Sequence, residues 1–288
     1  MKGDKCVLIT GAGGLLGRAL TERLRRQGRR VVALTHADLD ITREDDARRS
    51  IEQARPGVVV NCAATADVDR CEREPDWAYA VNESGPLFLA RACREVGAEM
   101  AHVSTDYVFD GAKPGYYTQE DRPNPLSVYA KSKLAGEIAV REELDRAYII
   151  RTSWIFGVGG KNFGSRVIEY ARKGAKLRAV TDQTSIPTYA PDLAARIEEI
   201  VSLGVYDLYH VTNSEAGTWY EFARLALDLA GLQDVPLERI ARAELGQPAP
   251  RPANSAMRCL VSERLGLASL RPWREAVVDF VRLHESRL

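Results

Sequence analysis

Short, nearly uninterrupted apolar runs alternate with longer amphipathic stretches through the first half of the chain. Residues 6–10 (CVLIT), 31–35 (VVALT), 58–61 (VVVN), 100–104 (MAHVS) and 148–152 (YIIRT) are apolar almost throughout. That is the pattern of strands covered on both faces. Between them, residues 15–27, 43–54, 77–96 and 127–144 read as helices. Thr42, with Asp45 three positions on, reads as a capping pair opening the second of these. Strand–helix alternation of this kind predicts an α/β fold with a doubly wound parallel sheet.

Beyond Trp154 the alternation loosens. Residues 162–173, 189–203 and 218–230 read as helices and 208–212 as a further strand. Three prolines within 245–254 require a loop or an extended connection. Trp273, Val277, Phe280 and Val281 fall on one helical face, as in a helix docking on a core. The expected organisation is a sheet domain over 1–153 and a smaller lobe over 154–288, with about 177–212 returning to the first.

The chain has 288 residues, 45% of them hydrophobic and 28% charged. This is ordinary for a folded domain and large enough to bury a core without metal or disulfide staples. Forty basic residues balance forty acidic ones. A protein that binds nucleic acid or anionic membranes by bulk attraction carries a basic excess, so neither partner is expected. Five cysteines at unpatterned spacings, without a CxxC, argue against a disulfide framework or a zinc site and fit a reducing cytoplasm. The apolar start is broken by glycines and ends at Arg18 without a cleavage site, and no uncharged stretch spans a membrane. The apolar stripes on 189–203 and on the last helix serve equally as core or interface, so a homodimer stays open.

Gly11, Gly14 and Gly17 space a GxxGxxG loop between the first strand and the first helix. Small residues there allow a tight turn and let backbone N–H groups approach a pyrophosphate, which the helix N-terminus also attracts. This is a variant of the Rossmann dinucleotide fingerprint, in the strand–helix context the fingerprint requires. The second strand ends in Thr35 and His36, with no carboxylate before Asp38. An acid at that strand end disfavours a 2′-phosphate, so NADPH is admitted beside NADH.

Tyr129 and Lys133 stand four apart on a predicted helix and so share a face. A tyrosine of ordinary pKa, about 10, is a poor acid–base group near neutrality. An adjacent ammonium is expected to lower it into range, so that the phenol protonates a carbonyl oxygen as hydride arrives at its carbon. Alone the pair is a weak signal, because surface tyrosines and lysines often fall four apart. The fourth strand, however, runs directly into Ser104, Thr105, Asp106 and Tyr107, which offers a hydroxyl at a strand end for the same oxygen.

These features together resemble the extended short-chain dehydrogenase/reductase superfamily. NCAATADVDRCEREPDWAYAVN (61–82), VSTDYVFDG (103–111), NPLSVYAKSKLAGE (124–137), RTSWIFG (151–157), DQTSIPTYAPDLA (182–194) and RPANSAM (251–257) resemble, in order, the dTDP-4-dehydrorhamnose reductase family. The resemblance implies NAD(P)H-dependent reduction of the C4 ketone of dTDP-4-dehydro-L-rhamnose, a sugar nucleotide. It implies Thr105, Tyr129 and Lys133 as the catalytic hydroxyl, the proton donor and the supporting lysine. For the cofactor it implies Gly11, Gly14, Leu15 and Leu16 at the pyrophosphate, and Thr35, Asp40 and Ile41 at the adenosine. Ala63, Ala64, Thr65 and Val103 follow along the inner dinucleotide, with Tyr129 and Lys133. Thr105, Asp106, Tyr107 and Trp154 fall to the sugar nucleotide, with Asn162, Arg166, Arg251 and Arg258 as candidates for its dTDP end.

Ala66, Asp67 and Ser185 depart from the family pattern and put the finer substrate contacts in doubt. The Mg²⁺ through which some members dimerise is not carried over, because the loop offers Leu15 and Leu16 instead of an acid. Two alternatives stay open: a reductase of another 4-keto sugar nucleotide, and a non-catalytic regulatory subunit like the beta subunit of methionine adenosyltransferase. An epimerase or dehydratase also uses a Tyr–Lys pair, but it recycles a tightly held dinucleotide.

Overall fold

The computed structural model describes residues 5–160 and 162–286. The first half runs β1 (Val7–Thr10), α1 (Leu15–Arg26), β2 (Val31–Leu34), α2 (Glu44–Ala54), β3 (Val58–Asn61), α3 (Val68–Arg73), α4 (Pro75–Tyr79), α5 (Gly85–Val96), β4 (Glu99–Thr105), α6 (Val128–Glu143) and β5 (Ala147–Thr152). The second half runs β6 (Ile155–Phe156), α7 (Phe163–Arg172), β7 (Leu177–Val180), β8 (Thr184–Ser185), β9 (Thr188–Tyr189), α8 (Ala190–Leu203), β10 (Leu208–His210), β11 (Gly217–Thr218), α9 (Trp219–Leu229), β12 (Leu237–Ile240), α10 (Leu260–Arg264) and α11 (Trp273–Glu285).

Six strands form one parallel sheet in the order β10-β5-β4-β3-β1-β2, a Rossmann-type doubly wound arrangement. The apolar runs are continuous because alternate side chains leave on opposite faces and both faces are covered. Val7 and Ile9 face Leu20 and Leu24 of α1 and Leu193 and Ile197 of α8. Leu8, Val59 and Met100 face Ile51 of α2, Leu89 of α5 and Val140 of α6. A separate core in the second half of the chain gathers Phe156, Phe222, Trp273 and Phe280. The apolar stripes of α8 and α11 are therefore both spent on core packing.

Several details differ from the sequence expectations. Thr42 does not cap α2: its hydroxyl donates to Asp40 at 2.7 Å, and Arg43 occupies the cap position without a side-chain bond. The expected helix over 77–96 is broken by a π-helical turn at Ala80–Ser84. Within the segment expected to return, β7 pairs in parallel with β12 outside the main sheet. In the same segment, α8 packs beside α1 and β10 pairs with β5. Among the described residues no helix is long and apolar enough to cross a membrane.

Candidate active site

A continuous cleft lies beyond the carboxyl ends of the parallel strands. One part, about 1600 Å³, is lined by Gly11, Gly14, His36, Asp40, Ile41 and residues 62–66. The other, about 1240 Å³, shares Gly11, Gly14 and Ala64 and extends to Thr105, Tyr129, Lys133 and Trp154.

The glycine loop is built by backbone contact. Gly11 has φ +62°, and a Cβ there would sit 2.6 Å from the Ala63 nitrogen. A Cβ on Gly17 would meet the Gly11 carbonyl oxygen at 2.3 Å. Only glycine lets the first turn of α1 close onto the loop this tightly. That turn carries no acidic side chain, so its free N–H groups and dipole suit an anion. Leu15 and Leu16 both line the cleft, and Leu16 is also part of the core beneath it.

At the far end, Thr35 is fixed by Asp38, whose carboxylate accepts from the Thr35 N–H at 2.9 Å and from its hydroxyl at 2.7 Å. Asp40 accepts from Thr42, and Ile41 is buried beside it. On the inner wall Ala63, Ala64 and Thr65 follow β3. Thr65 is held by Asn82, a residue to which the sequence reading gave no role. Asn82 is fully buried in the π-helical turn and also donates to the Ser132 hydroxyl on α6 at 3.0 Å. Its only sequence signal was its place at the end of the 61–82 block.

α6 places Tyr129 and Lys133 one turn apart on the cleft side. The Ser127 hydroxyl accepts from the Ala130 N–H at 3.2 Å and caps the helix. Lys133 is buried, and its Nζ donates to the Val103 carbonyl at 2.7 Å. Burial pulls its ammonium down to about 8, against the opposing charge of Glu137. Tyr129 departs from the expectation that lysine would lower its pKa. Desolvation of the phenolate raises it instead, with the Thr105 hydroxyl pulling the other way. The phenol thus holds its proton at neutral pH, the state a proton donor requires.

Thr105 closes β4 as a buried hydroxyl beside Tyr129. Beneath it, Glu137 receives Arg151 in a bidentate pair (2.9 and 2.7 Å) and the Ser104 hydroxyl. Asp106 and Tyr107 line the cleft, but their polar atoms are already engaged. The Asp106 carboxylate takes hydroxyl hydrogens from Thr105, Ser185 and Ser255. The Tyr107 phenol accepts from Gln183 Nε2 at 3.1 Å, and its ring meets Tyr129 edge-on at 5.9 Å. Trp154 has φ +42°, unusual for a bulky side chain, and stacks on Trp219 at 3.6 Å. Its Nε1 has no hydrogen-bond partner among the described residues.

The four candidates for the dTDP end are not brought together as free groups. Asn162 caps α7 and donates to the carbonyls of Gly157 and Gly160. Arg251 forks onto Asp69 at 2.9 and 3.0 Å. Arg258 pairs with Glu263 beside a separate cavity. Arg166 is exposed on α7.

A glycine cradle at the first strand, with a hydroxyl, a phenol and a buried lysine converging at the fourth, defines an extended short-chain dehydrogenase/reductase. The chain belongs to the dTDP-4-dehydrorhamnose reductase family, matching the family model described as the RmlD substrate binding domain over residues 5–285. It is 40% identical to the dTDP-4-dehydrorhamnose reductase of Streptomyces griseus, over 94% of this chain and 91% of that one. It is 39% identical to the spore coat polysaccharide biosynthesis protein SpsK of Bacillus subtilis, over 97% and 98%. A crystal structure of dTDP-4-dehydrorhamnose reductase from Bacillus anthracis in complex with NADP superposes with a TM-score of 0.94. That pair is 33% identical, with 96% of this chain and 99% of that one covered.

Proposed function

We propose that this protein reduces the C4 ketone of dTDP-4-dehydro-L-rhamnose to the alcohol of dTDP-L-rhamnose, consuming NADPH, with NADH as the alternative donor. The observation that carries this reading is the convergence of Thr105, Tyr129 and Lys133 in the cleft that begins at the Gly11–Gly17 cradle. The bound nicotinamide supplies a hydride to the carbonyl carbon. Tyr129, neutral at working pH, gives the carbonyl oxygen its proton. Thr105 lies where a second hydroxyl can stabilise the negative charge developing on that oxygen. Lys133 supplies a positive charge at the strand end, where it returns the phenolate to phenol and holds the ribose. Trp154 lines the cleft, where its indole is suited to contact the sugar nucleotide.

The division of labour we propose is a dinucleotide lobe over 1–153, joined by α8 and β10, and a substrate lobe from the rest of 154–288. The protein works in the cytoplasm on a small sugar nucleotide. NADPH oxidation is followed at 340 nm with a panel of 4-keto sugar nucleotides. Turnover of dTDP-4-dehydro-L-rhamnose above the others supports the assignment, and turnover of another member alone replaces the substrate. Cofactor binding without turnover of any member favours a regulatory subunit.

A further inference from the structure

A threonine hydroxyl has one hydrogen and two lone pairs. In Thr105 one lone pair accepts from the Tyr107 N–H at 3.2 Å, and the hydrogen goes to Oδ1 of Asp106 at 3.2 Å. The Tyr129 phenol also lies beside this hydroxyl, but it keeps its own proton, so the Asp106 carboxylate is the stronger acceptor and sets the resting direction. Asp106 is 2% exposed, and its other oxygen, Oδ2, accepts from Ser185 at 2.9 Å and from Ser255. Both serines are fully buried and both belong to the second half of the chain. They form one unit: the Thr184 N–H donates to the Ala253 carbonyl at 2.8 Å, and the Ser255 N–H to the Thr184 carbonyl at 2.9 Å.

We propose that Asp106 is a positioning residue that sets the rotor of the Thr105 hydroxyl, and that Ser185 and Ser255, buried behind it, hold Asp106 in that role. This rests on the reductase reading above and adds to it how the second lobe reaches the reacting oxygen. The physical logic is a division of acceptor capacity. Two donors on Oδ2 draw charge away from Oδ1, so Asp106 orders the Thr105 hydrogen without holding it fast. As charge develops on the carbonyl oxygen, that hydrogen can turn to it. A protonated Asp106 no longer demands the hydrogen, and the rotor loses its resting direction.

The ionisable groups around Asp106 leave its own titration in view. Burial pushes it up to about 6, and the hydroxyls of Ser255, Ser185 and Thr105 pull it down. Tyr107 on its own turn and Tyr129 on α6 are phenols raised by burial, hence neutral across this range. Arg251 and Asp69, which act on Tyr107, are paired with each other. From β8 and from residues 253–255 the groups that meet the carboxylate are the two hydroxyls.

The test uses the full chain and two readouts. The first is log kcat/KM against pH, from 5 to 8, for wild type, Ser185→Ala, Ser255→Ala and Ser255→Thr. The wild-type value is expected to fall below about pH 6. Each alanine variant is expected to move that limb alkaline by roughly half a unit to one unit, and Ser255→Thr to restore it. The second readout is the Asp106 carboxyl band in infrared difference spectra against Asp106→Asn, which needs no turnover. It is expected to titrate with the same shifts. Unshifted bands in the alanine variants overturn the hold of the serines on Asp106. Shifted bands with superimposed activity profiles overturn the positioning role. If the bands shift but wild type turns over no 4-keto sugar nucleotide, the reductase reading fails while the hold of the serines on Asp106 stands.

Discussion

Asn82 grips Thr65 by both of its backbone groups: Oδ1 accepts from the Thr65 N–H at 3.0 Å, and Nδ2 donates to the Thr65 carbonyl at 3.2 Å. The cleft-lining loop after β3 is thereby shaped by a side chain from a π-helical turn, a type of irregularity frequent at functional sites. Asn82→Ala leaves two buried backbone groups unpaired, which costs about 1–3 kcal/mol for each. Urea unfolding is expected to show that loss, and NADPH titration by fluorescence a weaker Kd. Unchanged values in both would separate the loop from Asn82.

Tyr129→Phe removes the proposed proton donor and leaves the ring. A positioned general acid contributes about 10²–10⁴-fold, so kcat is expected to fall by at least about 100-fold. The Kd for NADPH should stay within a few-fold of wild type. A variant as fast as wild type would assign proton donation elsewhere.

Lys133 links activity and stability with opposite signs. Its pKa is lowered from 10.5 to about 8 by burial. A lowered folded-state value contributes stability above the unfolded value of 10.5 and loses it as pH falls through about 8. At pH 7 the buried ammonium therefore costs up to about 3 kcal/mol. Lys133→Met is expected to raise Tm at pH 7, an advantage that shrinks towards pH 10.5, while abolishing turnover. In wild type, kcat/KM for NADPH should decline as pH rises through about 8 and Lys133 loses its charge. A variant that is destabilised at pH 7 would contradict the desolvation argument.

Glu137 and Arg151 form an ion pair whose side chains are 5% and 4% exposed. Removing one partner strands the other charge, so Arg151→Met is expected to cost about 3–5 kcal/mol. Glu137→Leu with Arg151→Met should recover much of this, because a well-packed apolar pair avoids desolvation. Urea midpoints of the three proteins decide it; equal losses in the single and double variants would mean packing, not charge, dominates.

The parts legible in the sequence are those governed by local periodicity. The five strands of the first half follow from their apolar runs, and the Gly11–Gly17 loop and the Tyr129–Lys133 spacing from motif geometry. What escaped depends on contacts distant in sequence. Burial, which no spacing encodes, turned the expected lowering of the Tyr129 pKa into a rise. Asn82 and Ser132 stand fifty positions apart and meet only because α6 lies on the π-helical turn. The β7–β12 pairing joins two short segments that carry no mark of each other. Arg251 and Asn162 read as free polar groups in sequence, yet one is bound to Asp69 and the other to its own helix end.

The central claim is hydride transfer to C4 of the sugar, and isotope transfer tests it most directly. NADPH carrying deuterium at its transferable position is incubated with dTDP-4-dehydro-L-rhamnose and the protein, and the product is examined by NMR and mass spectrometry. One deuterium at C4 of dTDP-L-rhamnose, with one NADP⁺ formed per product, is the predicted result. Product without the label, or sugar rearranged while the dinucleotide returns unchanged, would contradict it.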